Sequence, residues 1–511
     1  MNGHLKYKDE SLDILECCSK INKLVIFVMF SFCWVQTDRA QATDELSDYN
    51  VFNLRFTGNP NQELLEDFDR DGSVDIALWD NRVFQVFFCE DGRFSTTPSQ
   101  LVEAPADAVF LDVGVVSEDA HREPVFMTRE GVFRMVYENA REGFKNLPVL
   151  EFDNQVIPRH VSRLVHVNFL CDITCDGKED IVVPERDRYV VYQQIKYGSF
   201  VYWGEIPIKL NANFYSDELS HTGRLREIVH FPRIFSGRGA GGVFTILYDG
   251  TWVKVYGSNA GGVCKIVKSL CLDEKRRDEY EDVLRAYFGK IVFFENLNNN
   301  DNYTLIITDN KAGTIKFLKG IGLEESLRSE MEIKTHGAML KPVFTDLNGD
   351  GLKDLILPSI KDIGIFTVVR VFITSRIDIN YMIFFNRKIP TFKITPDISR
   401  SVSLPLSISM SFGGLRVESS LIHSFDGDFN NDGINDLLLK SSSESLGVFF
   451  GKQGVGFSKK PDKTIPFKPL PECLSVRARL CDMNWDGVAD VILHQISSDD
   501  GNYAYDLYLS R

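Results

Sequence analysis

The most chemically loaded residues in this sequence are carboxylates and amides set at alternate positions beside apolar runs. In FTDLNGDGLKDLILP, residues 344–358, Asp346, Asn348, Asp350 and Asp354 occupy the first, third, fifth and ninth places of a loop. Four further loops repeat the arrangement: Asp67, Asp69, Asp71 and Asp75; Asp172, Thr174, Asp176 and Asp180; Asp428, Asn430, Asp432 and Asp436; Asp482, Asn484, Asp486 and Asp490. Alternation aims the side-chain oxygens to one side. Glycine at the sixth place permits the positive φ that reverses the backbone. A carbonyl at the seventh place adds a fifth hard oxygen, and Ser73, Lys178, Leu352, Ile434 and Val488 vary there as a backbone-only ligand allows. Such crowding repels itself when bare and is stabilised by a cation. Ca²⁺ suits it better than Mg²⁺, which demands tighter octahedral geometry and keeps its waters. About four to five calcium sites are expected.

The loops are not EF-hands, which need a bidentate Glu at the twelfth place; here that place holds Leu78, Val183, Leu357, Leu439 or Leu493. Thr174 departs from the carboxylate or amide of the other third positions. Asn296, Asn298 and Asn300 bring no carboxylate and are followed by Thr304, so that stretch is expected to hold no metal. Catalytic groupings are not evident. His160, His166, His221, His230, His336, His423 and His494 lack metal-ligand spacing, and no Gly-x-Ser-x-Gly or phosphate-binding glycine loop occurs.

The elements that position the loops repeat with them. VFFCEDGRFSTTP follows the first loop, VFFGKQGVGFSKKP the one at 428, and MIFFNRKIPTFKITP a third. Each unit reads as a short strand, an acidic loop, an apolar strand, a turn, an aromatic strand and a final segment ending at proline. Degenerate copies fill the intervals near 110–127, 241–257 and 296–310. A four-stranded sheet of this kind cannot bury both faces alone, so its neighbours must stack radially. The expected fold is all-β, a β-propeller of four-stranded blades, eight by repeat count with seven possible. The last unit ends short of a full set, and YNVFNLRF stands unpaired before the first loop. Adding the N-terminal strand to the last blade closes the ring and removes exposed edges. Two segments interrupt the rhythm: 271–289 reads as a surface helix, and 359–375 as a helix begun by Ser359 or an extra hairpin.

On these residues the chain resembles the FG-GAP/VCBS repeat family, integrin-α-like propellers with calcium loops. The motif D-x-[DN]-x-D-G-x-x-D is complete from Asp67, Asp346, Asp428 and Asp482, and nearly so from Asp172. The resemblance spans roughly residues 50–511. It implies a calcium-stabilised propeller that displays loops for binding, and it implies no particular ligand.

The 511 residues, 44% hydrophobic with net charge −15, describe a folded acidic protein and argue against nucleic acid or an anionic membrane as principal partner. KLVIFVMFSFCWV has the length of a secretory signal core, and Ala40 and Ala42 set a cleavage site before Thr43; an uncleaved anchor is the rival. Residues 1–42 are thus expected to be a signal peptide and 43–511 the propeller, in a secreted, periplasmic or cell-surface protein. Cys89, Cys171, Cys175, Cys264, Cys271, Cys473 and Cys481 then form an odd set, either bridged in sequence-near pairs with Cys89 left over or serving as buried thiols. The function expected is a binding scaffold without catalytic activity, for a protein or glycan ligand on a propeller face. The alternatives are a lyase-like propeller enzyme acting on polysaccharide or a carbohydrate-binding lectin.

Overall fold

The computed structural model describes residues 48–511 with breaks, the longest at 272–289, 320–327 and 361–369. The segment 1–42 lies outside the described residues. Among the described residues eight sheets of four or five strands follow one another along the chain, antiparallel except for a short parallel strand, Val165–His166, beside Phe110–Leu111 in blade 2. Blade 1 comprises Gln62–Glu66, Asp75–Asp80, Val83–Phe87 and Gln100–Glu103; blade 2, Phe110–Val115, Arg122–Met127, Gly131–Asn139 and Gly143–Glu151; blade 3, Leu170–Cys171, Asp180–Pro184, Arg188–Lys196 and Ser199–Pro207. Blade 4 comprises Arg233–Gly239, Gly242–Tyr248, Trp252–Ser258 and Cys264–Cys271; blade 5, Lys290–Glu295, Thr304–Asp309, Thr314–Lys319 and Arg328–Lys334. Blade 6 has a split first strand (Ala338–Met339 and Val343–Thr345) before Asp354–Ile360, Arg376–Phe384 and Ile398–Pro405. Blade 7 comprises His423–Gly427, Asp436–Ser442, Ser445–Phe449 and Lys463–Pro466; blade 8, Cys473–Cys481, Asp490–Ser497, Tyr503–Ser510 and the N-terminal Tyr49–Leu54.

The strand after each acidic loop is a near-continuous apolar run because both of its faces are covered. Along blade 8, Val491 and Leu493 point into the core shared with blade 7, while Ile492 points into the core shared with blade 1. Blade 6 alternates likewise, with Leu355 and Leu357 toward blade 5 and Ile356 toward blade 7. Every seam of the ring, from 1/2 round to 8/1, has its own apolar cluster drawn from two consecutive blades. That closes an eight-bladed propeller and decides the blade count.

Closure uses the N-terminal strand as expected, with Tyr49 opposite Ser510 and Leu54 opposite Tyr505. Tyr49 is 2% exposed and lies in the 7/8 core, with Lys463 Nζ 4.3 Å from its ring centroid. Asn53 Nδ2 donates to Asp506 Oδ1 at 2.7 Å.

Three expectations need correction. Ser359 does not begin a helix; it lies inside strand Asp354–Ile360, opposite Asn380, because that strand runs past Pro358 to complete its pairing with the third strand. Helix is found further on, at Arg370 and Thr374, where the Thr374 hydroxyl donates to the Arg370 carbonyl at 2.8 Å. Cys271 likewise closes a strand, and the rest of the expected helix, 272–289, lies outside the described residues. Two of the three sequence-near disulfide pairings fail on distance, which favours the buried-thiol alternative. Cys473 and Cys481 sit at opposite ends of one nine-residue strand, about 26 Å apart at the usual rise, far beyond the reach of a bridge. Cys264 and Cys271 stand at the two ends of another strand. Cys89, Cys171, Cys175, Cys473 and Cys481 form no disulfide. Two hairpins were not legible as insertions: Ala212–Ser216 with Gly223–Ile228, and Ile408–Ser411 with Gly414–Val417.

Antiparallel alternation assigns the connections to two faces. First-to-second and third-to-fourth connections share one face; second-to-third and blade-to-blade connections share the other. All five acidic loops are of the first kind. Both extra hairpins and both insertion points, after Cys271 and after Ile360, are of the second kind.

Candidate metal loops

Each acidic loop folds around its own carboxylates. The first-position Asp accepts a hydrogen bond from the sixth-position glycine amide: Gly72 to Asp67 at 3.0 Å, Gly177 to Asp172 at 2.8 Å, Gly351 to Asp346 at 2.7 Å, Gly433 to Asp428 at 2.7 Å and Gly487 to Asp482 at 2.9 Å. The fifth-position Asp accepts from the seventh-position amide in all five, at 2.7–3.0 Å. The sixth-position glycines have φ between 78° and 94°, a region costly for any side chain.

The fourth position is left-handed too, which the motif did not reveal: Arg70, Cys175, Gly349, Asn431 and Trp485 have φ of 67°, 54°, 73°, 56° and 58°. Only one of the five is glycine, so the loop holds bulky residues in a conformation costing roughly 1–2 kcal/mol each.

Oxygen atoms of Asp67, Asp69 and Asp71 lie within 4.8 Å of one another. Asp67 Oδ1 is buried with no hydrogen-bond partner. A buried, unsatisfied carboxylate oxygen beside two other carboxylates fits a hard cation. In the loops from 346, 428 and 482 the third-position amides donate Nδ2 to the fifth-position carboxylates, Asn348 to Asp350 at 3.2 Å, Asn430 to Asp432 at 3.0 Å and Asn484 to Asp486 at 3.0 Å. In the blade 3 loop, Lys178 Nζ reaches Asp176 Oδ2 at 3.0 Å, and Gln193 Nε2 lies 3.2 Å from the same oxygen and 3.4 Å from Thr174 Oγ1. The stretch 298–303, expected to hold no metal, lies outside the described residues.

The ninth-position carboxylates have a second task. Asp75, Asp180, Asp354, Asp436 and Asp490 are all 0% exposed. One oxygen accepts the second-position amide of the loop and the other accepts an amide at the end of the third strand. For Asp75 these are Phe68 at 2.9 Å and Cys89 at 2.8 Å; for Asp354, Leu347 at 3.0 Å and Asn386 at 2.8 Å; for Asp490, Met483 at 2.8 Å and Ser510 at 2.7 Å. Asp180 and Asp436 repeat the pattern. Burial pushes Asp75 and Asp354 up to about 7 and Asp180, Asp436 and Asp490 up to about 6, against the pull of these amides. Each therefore clamps three strands of its blade, whatever it does for a metal.

Blade 2 carries no such loop, and its acids meet guanidinium groups instead. Glu123, 5% exposed, takes both Nη1 contacts of Arg134 at 3.1 and 2.9 Å, and Arg70 from the blade 1 loop at 2.8 Å. Arg70 also pairs with Asp119. Arg122 joins Glu66 of blade 1 at 3.2 Å to Glu179 of blade 3 at 3.5 Å. The sequence pattern did not single out these residues; the one available signal was an arginine at a fourth position.

The histidines form no cluster with metal-ligand geometry among the described residues. His494 is 6% exposed and stacked on Tyr505, with ring centroids 4.3 Å apart, which makes it a core residue of blade 8. Among the described residues no helix is long and apolar enough to cross a membrane.

No family model and no curated protein matches this sequence. Solved structures align over most of the chain. A lectin of Agrocybe aegerita, described as recognising non-reducing terminal N-acetylglucosamine, is 15% identical over 81% of this chain and 98% of its own, with a TM-score of 0.40. The Nup133 β-propeller domain of Vanderwaltozyma polyspora is 10% identical over 85% and 100%, with a TM-score of 0.37. A putative 6-phosphogluconolactonase of Bacteroides fragilis is 10% identical over 84% and 98%, with a TM-score of 0.33. Likeness at this level concerns the fold and leaves function open.

Proposed function

We propose that this protein is a calcium-stabilised propeller of the FG-GAP/VCBS type, secreted, periplasmic or displayed at the cell surface, that serves as an interaction scaffold without catalysis of its own. The observation that carries the calcium reading is the unsatisfied, buried Asp67 Oδ1 beside Asp69 and Asp71. Calcium there neutralises the crowded acids and fixes the turn between the first and second strands. The scaffold reading is supported by the division of faces: regular acid loops on one, and the hairpins and insertion points on the other, where a protein or glycan ligand would dock. Trp79, Trp203, Trp252 and Trp485 fall in a second strand, a fourth strand, a third strand and a loop, an arrangement unsuited to a lectin with one equivalent sugar site per blade.

The test is a thermal melt in calcium and in chelator. Each independent site adds RT ln(1 + [L]/Kd), about 2.7 kcal/mol at a hundredfold excess over Kd, so chelation should lower Tm markedly and Asp71→Ala should abolish part of the shift. Coincident melts would refute the calcium reading. Secretion is tested separately by N-terminal sequencing of exported material, which should begin at or near Thr43.

A further inference from the structure

The eighth loop position, which the motif leaves unspecified, is where each loop meets the blade before it. In blade 1 the Val74 amide donates to the Met483 carbonyl of the blade 8 loop at 3.1 Å, and in blade 8 the Ala489 amide donates to the Asp428 carbonyl of the blade 7 loop at 2.7 Å. In blade 7, Asn435 Nδ2 donates to Thr345 Oγ1 of blade 6 at 2.6 Å. Where the preceding blade lacks an acidic loop the link is a charged side chain. Glu179 of blade 3 accepts the Val115 amide of blade 2 at 2.5 Å, and Lys353 of blade 6 pairs with Glu295 of blade 5 at 2.7 Å.

Two of these links run directly between candidate metal loops. Asp428 is itself a first-position ligand of loop 7, and Ala489 is the residue before Asp490 of loop 8. Met483 lies between Asp482 and Asn484, and Val74 immediately precedes Asp75. The approach is close: a Cβ on Gly427, the residue before Asp428, would stand 2.8 Å from the Ala489 Cβ. Fixing the backbone of one loop therefore presets the donor or acceptor that its neighbour uses.

We propose that the loops of blades 7, 8 and 1 bind calcium cooperatively, coupled through the eighth-position amides of Ala489 and Val74 across the two seams that flank the ring closure. The inference rests on the calcium reading above. Those two seams include the one completed by the N-terminal strand, so cation binding and ring closure are linked, and the charged clasp of Arg70 and Arg122 at blade 2 leaves the blade 3 loop outside the coupled set.

Trp485, 69% exposed in loop 8, supplies a local reporter. Terbium would be titrated into the full chain while tryptophan-sensitised emission is followed, with Trp485→Phe assigning the loop 8 component. Wild type should give a sigmoidal loop 8 curve. Asp432→Ala in loop 7 and Asp71→Ala in loop 1 should each move its midpoint about fivefold or more to higher terbium, whereas Asp176→Ala in loop 3 should move it far less. Superimposable loop 8 curves in wild type, Asp432→Ala and Asp71→Ala would overturn the coupling while leaving calcium binding intact. Absence of any terbium emission or calcium-dependent Tm would refute the calcium reading itself, and the coupling with it. Hydrogen exchange on unmodified protein guards against misfolded variants: peptides containing Val74 and Ala489 should gain protection over one shared calcium range, and separate ranges would also overturn the coupling.

Discussion

Blades 1 and 2 stand side by side and meet the same electrostatic difficulty in different ways. Both bring acids to the turn between their first and second strands. Blade 1 converges Asp67, Asp69 and Asp71 with one oxygen left unsatisfied, a geometry that calls for a diffusible cation. Blade 2 fills the equivalent role with Arg134 from its own third strand and Arg70 borrowed from the blade 1 loop. On the calcium reading the turn draws positive charge from solution in blade 1, where blade 2 has it covalently attached. Covalent charge is always present, whereas a bound ion makes the turn sensitive to its surroundings.

The largest effect should come from removing a clamp rather than a metal ligand in the ordinary sense. Asp490→Ala leaves the Met483 and Ser510 amides without their acceptor, while the Ser510 hydroxyl keeps Asp486, and should destabilise the protein by about 3–5 kcal/mol even in chelator. Urea unfolding in chelator measures this; a loss under about 1 kcal/mol would show that the ninth position acts through metal alone.

Next comes the counterpart in blade 2. Glu123→Ala strips a buried carboxylate from two guanidinium groups and should cost about 3 kcal/mol, with the same value in calcium and in chelator. A calcium-dependent value would break the distinction between the two blades.

Acid titration sharpens the comparison by separating a third contribution. Burial and the nearby Arg477 hold the His494 imidazole down to about 4 from 6.5. The unfolded chain takes up the proton first, so the stability from neutral His494 is complete above pH 6.5 and is lost as pH falls toward 4. The loss should be on the order of 2 kcal/mol, measured as the difference between wild type and His494→Phe in unfolding free energy against pH in chelator, because the buried loop aspartates titrate in the same range with the opposite sign. His494→Phe should flatten that part of the profile.

The smallest effect is expected at Arg122, which is half exposed. Arg122→Met should lower stability by about 0.5–1 kcal/mol, less in high salt, and should leave the calcium-dependent part of Tm unchanged.

By itself the sequence determined the repeat, the places of the acidic loops, the all-β class and the ring closure, because each follows from a short-range rule. Short apolar runs bounded by turn residues must become strands, alternate carboxylates on a glycine turn must share a cation or repel, and an unmatched strand at each end must pair. Only the tertiary structure decided the blade count of eight, the strand rather than helix at Ser359, and the separation of Cys473 from Cys481, since these depend on how far a strand extends against its neighbours. It also decided what Arg70, Glu123, Val74 and Ala489 do. Their roles arise across the seams between blades, where the partner is set by radial packing and not by nearness in the chain. A position that a motif leaves free carries no local constraint, so its meaning appears only when the adjacent blade is in place.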